Sequence, residues 1–225
     1  MSEPQAAGKP EMDVEFFLDW ISRAAAAVSA EKERLTELDR AIGDGDHGTN
    51  LSRGLAAVIA ALDTEPPGTP RAALTKVGMT LISSVGGASG PLYGTFFRRI
   101  GRAFDDAETV DLEQLITAVQ AGVDGVVKLG KAQPRDKTMV DVLTPATEAL
   151  RGAAAEGLSA LEAIAIAADA AEAASSETIP WRARKGRASY LGERSEGHED
   201  PGAASSALLW RALAQTAQAR LATQT

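Results

Sequence analysis

The sequence predicts an all-α protein in which eight helices pack side by side as an antiparallel barrel or bundle. Apolar residues recur every three or four positions in residues 13–28 and in several later segments, which is the period of an amphipathic helix. We find no convincing strand pattern. Aromatic residues make up only 4% of the chain and alanines are frequent, which suits helices that pack closely together.

Proline, glycine and acidic residues separate the periodic segments and so give the order of the helices. At 63–70, for example, the sequence Asp-Thr-Glu-Pro-Pro-Gly-Thr-Pro ends an apolar stripe. Ser89 is the predicted N-cap of the fourth helix, with Pro91 in its first turn. The eight predicted helices span 13–28, 47–62, 71–84, 89–104, 111–129, 139–155, 159–174 and 201–221, and a short charged helical turn lies at 31–38.

The first 12 residues are polar, contain three helix-breaking residues, and lack the apolar core of a signal peptide. We therefore expect a disordered leader at 1–12 and a single helical domain at 13–225. The chain has no run of about 18 uncharged apolar residues, so we expect no transmembrane helix and no membrane partner. The cytoplasm is the default location.

Composition excludes several classes of function. The net charge of −8 argues against a nucleic-acid surface, because phosphate contacts need clustered lysine and arginine. An acidic chain can still bind nucleotides if metal ions bridge the charges. The absence of cysteine excludes a disulfide framework and a thiol nucleophile, although it does not fix the compartment.

The order of the helices predicts where unusual loops meet. If the helices run up and down, the connections after the first, third, fifth and seventh helices lie at one end. These connections are an acidic loop at 39–46, a glycine-rich turn at 85–91, the loop 130–138 and a long basic loop at 175–200. The other end has only short linkers of proline, glycine and acidic residues. The chemistry therefore converges on one rim.

The acidic loop brings together three carboxylates, those of Asp39, Asp44 and Asp46, with Arg40 as the only adjacent cation. Glycines at 43, 45 and 48 let the backbone turn tightly enough to bring the carboxylates close together. Carboxylates so placed repel one another unless they point apart or share divalent cations. The loop therefore predicts a metal site.

Two familiar motifs resemble this loop, and both fail: one matches literally but lacks the required context, and the other lacks required residues. Residues 43–48 match G-x-G-x-x-G, but a charged helix precedes them where a dinucleotide site needs a strand. Residues 44–55 begin like a calcium loop, but Thr49 and Leu55 stand where glycine and glutamate are required. Residues 125–131 approach a Walker A sequence, but Ala132 replaces its hydroxyl residue, so we treat that match as chance.

Three other groups on the rim have both a functional and an ordinary interpretation. The glycine-rich turn 86–90 opens a helix, where free amides favour an anion, but it could equally be a tight turn. The basic stretch 181–194 could supply an arginine that neutralises a transferring phosphoryl group, although such stretches are usually solvated. His47 and His198 could contact phosphate, bind metal or accept a phosphoryl group, and Lys137 could reach a phosphate or remain a solvated lysine.

Five fragments in chain order resemble the family of dihydroxyacetone kinase L subunits. They are 38–50 (LDRAIGDGDHGTN), 86–94 (GGASGPLYG), 136–139 (DKTM), 186–195 (GRASYLGERS) and 198–202 (HEDPG). Each fragment is weak alone, but five in this order are specific. The resemblance covers nearly everything after the leader and implies an eight-helix barrel with a nucleotide at one rim.

The resemblance implies a role for particular residues. Asp39, Asp44 and Asp46 would hold two magnesium ions against the diphosphate of ADP or ATP, and Arg187 would be the catalytic residue. Met139 would pack on the adenine. The nucleotide would lie against His47, Gly48, Thr49, Asn50, Ala88, Ser89, Gly130, Met139, Arg187, Asp200, Pro201 and Gly202. Family members often have glycine at the position of Arg135, so we expect Arg135 to shift its loop or to add a phosphate contact.

The resemblance also implies partners and a reaction. In the phosphotransferase-linked form, bound ADP is rephosphorylated by a phosphohistidine phosphocarrier subunit and passes its γ-phosphoryl to dihydroxyacetone on a K-type subunit. A chain carrying all four loops without an attached K-type domain motivates this hypothesis. The alternatives are a subunit that exchanges ATP and acts on dihydroxyacetone or a related ketose such as erythrulose, and a non-catalytic regulatory module. The assembly is left open, with a homodimer among the possibilities.

Overall fold

The computed structural model describes residues 12–222, and helices account for nearly all regular structure in that range. The helices are α1 (Val14–Ala30), α2 (Lys32–Ile42), α3 (His47–Thr64), α4 (Pro70–Ser84), α5 (Ser89–Ala103), α6 (Leu112–Gly130), α7 (Val140–Ala155), α8 (Ala160–Glu177) and α9 (Pro201–Arg220). A 3₁₀-helical segment, Arg187–Ser195, lies between α8 and α9. The predicted all-α fold class is confirmed.

The eight longer helices close into a ring. Helix α1 packs against α3 and α9, and from α3 onward each helix packs against the next one along the chain. Helix α2 lies beside this ring, in contact with α3 and α9. The charged turn predicted at 31–38 is therefore longer than expected, because Leu35 and Ile42 give α2 an apolar face that packs in the protein interior.

The inside of the ring is filled by large apolar side chains. Trp20 packs against Phe97 with their ring centroids 5.4 Å apart, and its indole nitrogen donates to the carbonyl oxygen of Leu209 at 2.9 Å. Alanines form the contact faces elsewhere, as Ala163 and Ala167 of α8 are fully buried. The alanine-rich stretches are therefore packing faces, as the sequence indicated.

Helices α4 and α5 form a hairpin that approaches too closely for side chains between them. A Cβ atom on Gly78 would lie 2.5 Å from the carbonyl oxygen of Gly94, and one on Gly94 would lie 2.6 Å from the carbonyl oxygen of Gly78. Both distances are below normal contact, so each position requires glycine. The close packing fixes the turn between the two helices, which is the glycine-rich rim loop.

Several helix ends are fixed by side-chain caps. Side-chain oxygens of the preceding residue accept backbone N–H groups at the starts of α1, α4, α6, α8 and α9, the caps being Asp13, Thr69, Asp111, Ser159 and Asp200. The prediction that Ser89 is an N-cap is wrong. Ser89 is the first residue of α5, and Ala88 precedes it without any side-chain cap.

Within residues 12–222, two short strands lie at the end of the barrel opposite the glycine-rich turn between α4 and α5. Strand β1 (Met12–Asp13) pairs antiparallel with β2 (Thr109–Val110), with Met12 opposite Val110. Met12 is fully buried, so its assignment to a disordered leader is wrong, while residues 1–11 lie outside the described range. None of the described helices is both long enough and apolar enough to cross a membrane.

Candidate nucleotide and metal site

The four rim loops meet at one cleft of about 200 Å³. Its lining comes from residues 39–47, 87–93, 137–139, 185–188 and 200–202. These segments are far apart in sequence and belong to the four connections that the alternation of the helices places at one end. The predicted convergence on a single rim is therefore confirmed for the described residues.

The three aspartates of the acidic loop face one another in this cleft. One carboxylate oxygen from each of Asp39, Asp44 and Asp46 lies within 4.8 Å of the other two. Asp39 lies in the last turn of α2 and is only 8% exposed, whereas Asp44 and Asp46 are exposed to the cleft. An all-oxygen set of this kind suits hard divalent cations such as Mg²⁺.

The carboxylate of Asp39 also fixes the start of α3. Its Oδ2 accepts the backbone N–H groups of Asp46 at 2.8 Å and His47 at 3.0 Å. A Cβ atom on Gly43 would lie 2.1 Å from Asp39 Oδ1, so glycine is required there for the chain to turn around this carboxylate. Backbone and carboxylate therefore hold each other in place before any ion binds.

The charges of the cluster are only partly compensated by the protein. Arg187 Nε lies 3.0 Å from Asp44 Oδ2, and within residues 12–222 no ion pair forms on Asp39 or Asp46. Three neighbouring carboxylates with one arginine leave an excess of negative charge, which a divalent ion would neutralise. The donor set therefore fits the predicted magnesium ions.

A buried hydrogen-bond network lies beneath the cluster. His47 Nε2 lies 2.8 Å from Ser205 Oγ, which lies 2.6 Å from the hydroxyl of Tyr93. The Ser205 hydroxyl can donate its one hydrogen to the carbonyl of Pro201 at 2.9 Å, which leaves it as the acceptor from His47. Burial lowers the pKa of His47 and raises the pKa of Tyr93 to about 12, so both side chains are neutral.

This geometry can be set beside known families. A family profile described as the DAK2 domain matches residues 41–215, which cover most of the chain. The chain belongs to the DAK2 family. The predicted resemblance to dihydroxyacetone kinase L subunits is thereby confirmed.

Two bacterial relatives match this DAK2 chain over almost their whole length. One is the Escherichia coli (strain K12) protein named PEP-dependent dihydroxyacetone kinase, ADP-binding subunit DhaL, which is 47% identical over 89% of this chain and 96% of its own. A Listeria innocua protein named PEP-dependent dihydroxyacetone kinase 1, ADP-binding subunit DhaL, is 45% identical over 91% and 97%. Both are named as kinase subunits.

A solved structure has the same fold. The dihydroxyacetone kinase of C. freundii superimposes with a TM-score of 0.71 at 24% identity, covering 96% of this DAK2 chain. The chain spans only 37% of that larger kinase, so it corresponds to one part of it. A second structure of that kinase, in complex with AMP-PNP and Mg²⁺, gives a TM-score of 0.70 at 23% identity.

Most of the predicted nucleotide-site residues line the cleft of the DAK2 domain. The residues that do so, beside the three aspartates, are His47, Ala88, Ser89, Met139, Arg187, Asp200, Pro201 and Gly202. Four predicted residues lie outside the lining: Gly48, Thr49, Asn50 and Gly130. Their assignment to the nucleotide stays a prediction, and the structure gives each of them another contact or position.

The four remaining residues have surroundings of their own outside the cleft lining. A Cβ atom on Gly48 would lie 2.1 Å from the carbonyl oxygen of Lys32, so this glycine allows α2 and α3 to touch. Thr49 is exposed, and buried Asn50 accepts a hydrogen bond from Arg53 at 2.8 Å. Gly130 ends α6 behind Leu92, which itself lines the cleft.

Asp200 is a buried carboxyl where the basic loop enters α9. Its Oδ2 accepts the N–H of Ala203 at 2.7 Å, and its own N–H donates to Thr178 Oγ1 at 3.0 Å. Burial raises the pKa of Asp200 to about 7, and the nearby charges of Asp141 and Asp39 act in the same direction. The cleft therefore contains a carboxyl that is partly protonated near neutral pH.

Lys137 is the residue for which sequence reasoning is least accurate. The side chain is only 1% exposed, so the solvated-lysine interpretation is wrong. Its ammonium donates to the carbonyl oxygens of Ser195 at 2.6 Å, Trp181 at 2.9 Å and Ile179 at 3.4 Å. Burial lowers the pKa of this lysine. No local pattern reveals these partners, because they lie 42 to 58 positions away along the chain.

Arg135 occupies a position whose backbone conformation favours glycine. Its φ is +68°, a left-handed conformation that glycine adopts without strain. Its N–H donates to the carboxylate of Asp141, and its guanidinium carbon lies 4.7 Å from the ring centroid of Trp181. The guanidinium therefore lies against Trp181 and outside the cleft lining, and both expectations for Arg135, a shifted loop or an added phosphate contact, stay predictions.

The Walker-like stretch, Thr138 and the two histidines have separate places in the structure. Residues 125–130 belong to helix α6, so the near-match to a Walker sequence is a coincidence, as expected. Thr138 Oγ1 accepts the N–H of Val140 at 3.2 Å at the start of α7. His198 is exposed and lies outside the cleft lining, whereas His47 is buried and lines it.

Proposed function

We propose that this chain is the nucleotide-binding subunit of a dihydroxyacetone kinase, and that it works in the phosphotransferase-linked form. The observation that carries the proposal is the cleft itself. In it, three carboxylates within 4.8 Å of one another lie beside the uncapped start of α5 and the guanidinium of Arg187. Such a site accommodates cations, phosphate oxygens and a charge-neutralising arginine together.

The metal half of the site consists of Asp39, Asp44 and Asp46. We assign them two Mg²⁺ ions, which when bound neutralise the phosphate charges of ADP or ATP. The rigid part of this half is Asp39, which is buried and bonded to the backbone of α3. Asp44 and Asp46 lie on the open side and can adjust to the ions.

The other half of the site binds the nucleotide, and its phosphate-binding part is the start of α5. Residues 87–89 line the cleft, and no side chain accepts the first amides of this helix. Free amides at a helix N-terminus point toward an anion, and the helix dipole favours negative charge there. This explains why Ala88 and Ser89 suit the phosphates, although Ser89 does not cap the helix.

The base-binding part of the nucleotide half is the apolar side of the cleft. Leu92, Met139 and Pro201 line it, which gives a planar base a surface to pack on. Met139 is nearly buried, and a Cβ atom on Gly202 would lie 3.6 Å from its side chain. Asp200, Pro201 and Gly202 thus form one wall, and Met139 supports the adenine as the family resemblance implies.

Arg187 is the group that we assign to charge neutralisation during transfer. Its side chain is largely exposed at the cleft and pairs with Asp44, so it lies beside both the metal ligands and the open mouth. A guanidinium is always charged and binds phosphoryl oxygens through two parallel N–H groups. Phosphoryl transfer needs chiefly positioning and charge neutralisation, which these residues supply without a protein nucleophile.

The acceptor and the donor come from other subunits in this proposal. A K-type subunit holds dihydroxyacetone, and a phosphohistidine phosphocarrier subunit rephosphorylates ADP. The support is that full-length relatives at 45% and 47% identity are named PEP-dependent. Tyr190 follows Ala188, a residue of the cleft lining, by two positions in the basic loop and is 87% exposed, which suits contact with a partner. We also propose a cytoplasmic location and one domain over 13–225. A homodimer stays a prediction.

An ATP-exchanging kinase subunit is the second candidate. It is favoured by a relative named L-erythrulose 1-kinase from Mycolicibacterium smegmatis, which is 40% identical, although the chain spans only 33% of that protein. Bovine triokinase/FMN cyclase is 35% identical, and the chain spans 36% of it. The intact carboxylate cluster argues against a purely regulatory module.

Native mass spectrometry of the purified chain tests the proposal. We expect ADP and two magnesium ions to remain bound, and we expect PEP with the carrier proteins to drive turnover on the K-type subunit. Nucleotide that leaves readily, with turnover from free ATP, would establish the second candidate. Failure to bind Mg-nucleotide at all would refute both. Asp46→Asn provides the negative control, because it removes one carboxylate of the metal cluster.

A further inference from the structure

The long connection that carries Arg187 has little regular structure of its own. Between the end of α8 and the start of α9 it contains only the 3₁₀-helical segment Arg187–Ser195, which Gly192 interrupts with a non-helical conformation. A few bonds close the loop on itself. Ser195 Oγ accepts the N–H of Ala183 at 2.9 Å, and Gly197 donates to the carbonyl of Ile179 at 2.8 Å.

Three consecutive residues of the α6–α7 connection hold this loop from outside. The guanidinium of Arg135 stacks on Trp181, the carbonyl of Asp136 accepts the N–H of Arg184 at 2.9 Å, and the ammonium of Lys137 reaches into the loop. Arg135 and Lys137 both have left-handed backbone angles, φ +68° and φ +65°. With this strained backbone, the side chains of Arg135 and Lys137 and the carbonyl of Asp136 all reach the basic loop.

Lys137 provides the central contact of this arrangement. An ammonium has three N–H groups, and three loop carbonyls, those of Ile179, Trp181 and Ser195, lie within hydrogen-bonding distance of Nζ. Carbonyls from both ends of the loop therefore converge on a single buried cation. Without the ammonium, the carbonyls of Ser195 and Trp181 would lose this donor, which is costly for the buried carbonyl of Ser195, whereas the carbonyl of Ile179 would keep the N–H of Gly197.

The same hydrogen bonds argue against a direct role for Lys137 at a phosphate. Each N–H that turned toward the cleft would release a loop carbonyl, and within the described residues Nζ forms no ion pair with a carboxylate. Arg187 lies within the segment that Lys137 closes, and it reaches Asp44 from there. Lys137 thus controls where the basic loop lies.

We propose that Lys137 is a positioning residue that holds the Arg187 loop over the carboxylate cluster. This inference rests on the proposed function for the role of Arg187 in transfer. We call the three hydrogen bonds from Lys137 Nζ to the loop carbonyls the clamp. The clamp is a property of the folded chain and is measurable without turnover. Lys137 therefore acts on phosphoryl transfer through Arg187, without touching the nucleotide.

Hydrogen exchange of the full chain, followed by mass spectrometry, tests the clamp. In the wild type we expect peptides covering 179–197 to exchange much more slowly than the exposed linker at 65–69. In Lys137→Met we expect exchange of 179–197 to rise by about tenfold or more, while α4 and α5 stay protected. Lys128→Met, at an exposed lysine of α6, is the matched control and should match the wild type.

Turnover with the partner subunits tests the link to Arg187. We expect Lys137→Met to lower kcat to within about twofold of Arg187→Ala, and the double variant to lose little more, because both changes remove one function. Independent, multiplying losses would refute the proposal, as would unchanged exchange of 179–197 in Lys137→Met. If the wild type showed no transfer, the proposed function would fail while exchange still decided the clamp.

A second variant covers the case in which Lys137→Met does not fold. Lys137→Gln keeps two N–H donors at this position, so exchange of the loop should be intermediate between the wild type and the fully released state. The exchange measurement on the wild type tests the proposal even if neither variant folds. If 179–197 exchanged as fast as the linker at 65–69, the loop would not be clamped and the proposal would be refuted.

Discussion

The acidic loop and the basic loop bring opposite charges to one cleft, but they are held in opposite ways. Only four residues of the acidic loop lie between α2 and α3, and Asp39, in the last turn of α2, accepts the backbone N–H groups of Asp46 and His47. The basic loop spans 23 residues between α8 and α9, and a lysine from another connection holds it. One is fixed locally and the other at a distance.

On the proposed function, this difference separates the loop that binds metal from the loop that acts in transfer. The locally fixed loop can keep its carboxylates in place while other loops move, because its bonds lie within nine residues. The basic loop depends on long-range contacts, so it can lose its position without unfolding the barrel. We therefore expect changes in the acidic loop to abolish metal binding, and changes in the basic loop to affect transfer more than binding.

The largest effect should come from Asp39→Asn. The amide removes one metal-ligand charge and weakens the acceptor for two amides at the start of α3. Metal ions contribute several kcal/mol to charge stabilisation, so turnover should fall by about 10³-fold. Isothermal titration calorimetry should show that Asp39→Asn binds Mg-ADP much more weakly than the wild type. Asp63→Asn, exposed at the far end of α3, is the control. Normal Mg-ADP affinity in Asp39→Asn would contradict the metal assignment.

Arg187→Ala should have the next largest effect, and of a different kind. Removing a group that stabilises charge only during transfer lowers kcat by about 10²-fold, while Mg-ADP affinity changes little. Steady-state kinetics and calorimetry on the same preparation separate the two quantities. Arg194→Ala changes an exposed arginine of the same loop and should leave both near wild type. Equal losses of affinity and kcat would show that the two loops are not separable in this way.

Asp200 lies where the basic loop ends, and it predicts a pH dependence of stability. Its pKa is raised from 3.8 to about 7, so between about pH 4 and 7 the folded protein binds more protons than the unfolded chain. The free energy of unfolding should therefore fall as pH rises through that window.

The matched variant for this prediction is Asp200→Asn, which keeps an acceptor for the N–H of Ala203. Measured in chelator by urea unfolding, it should be more stable than the wild type by about 4 kcal/mol at pH 8 and nearly equal at pH 4, because the pKa is raised by about 3 units at about 1.4 kcal/mol per unit. A constant difference at all pH values would show that Asp200 does not titrate in this range.

The smallest effect should come from Tyr190→Ala, which tests the exposed part of the basic loop. Because the side chain is 87% exposed, its loss should leave the fold and Mg-ADP affinity unchanged. If it anchors the K-type subunit, the concentration of that subunit needed for half-maximal turnover should rise by about tenfold. Tyr190→Phe is the conservative control. No change in Tyr190→Ala would place the partner contact elsewhere.

Much of the fold follows from local patterns in the sequence. The helical period gave the eight long helices, and proline and glycine marked their ends to within a few residues. The alternation of long helices then placed four loops at one end. Met12 was misassigned because a two-residue strand has no period to detect, and its partner Val110 lies almost 100 residues away.

The same distinction between local and distant contacts applies to the candidate site. Asp39, Asp44 and Asp46 could be recognised because the residues that make the cluster are neighbours in sequence. The burial of Lys137 could not be recognised, since its three carbonyl partners carry no side-chain signal. The network of His47, Tyr93 and Ser205 was missed for a similar reason, because three different helices supply it.

The pairing of β1 with β2 has a practical consequence for binding studies. Met12 lies at the end of the barrel opposite the cleft, and α9, which begins at the cleft with Pro201, runs 20 residues away from it. A helix of that length spans about 30 Å. An affinity tag or surface linkage placed before Met12 or after α9 therefore attaches the protein with its cleft facing the solution, where the partner subunits can reach it.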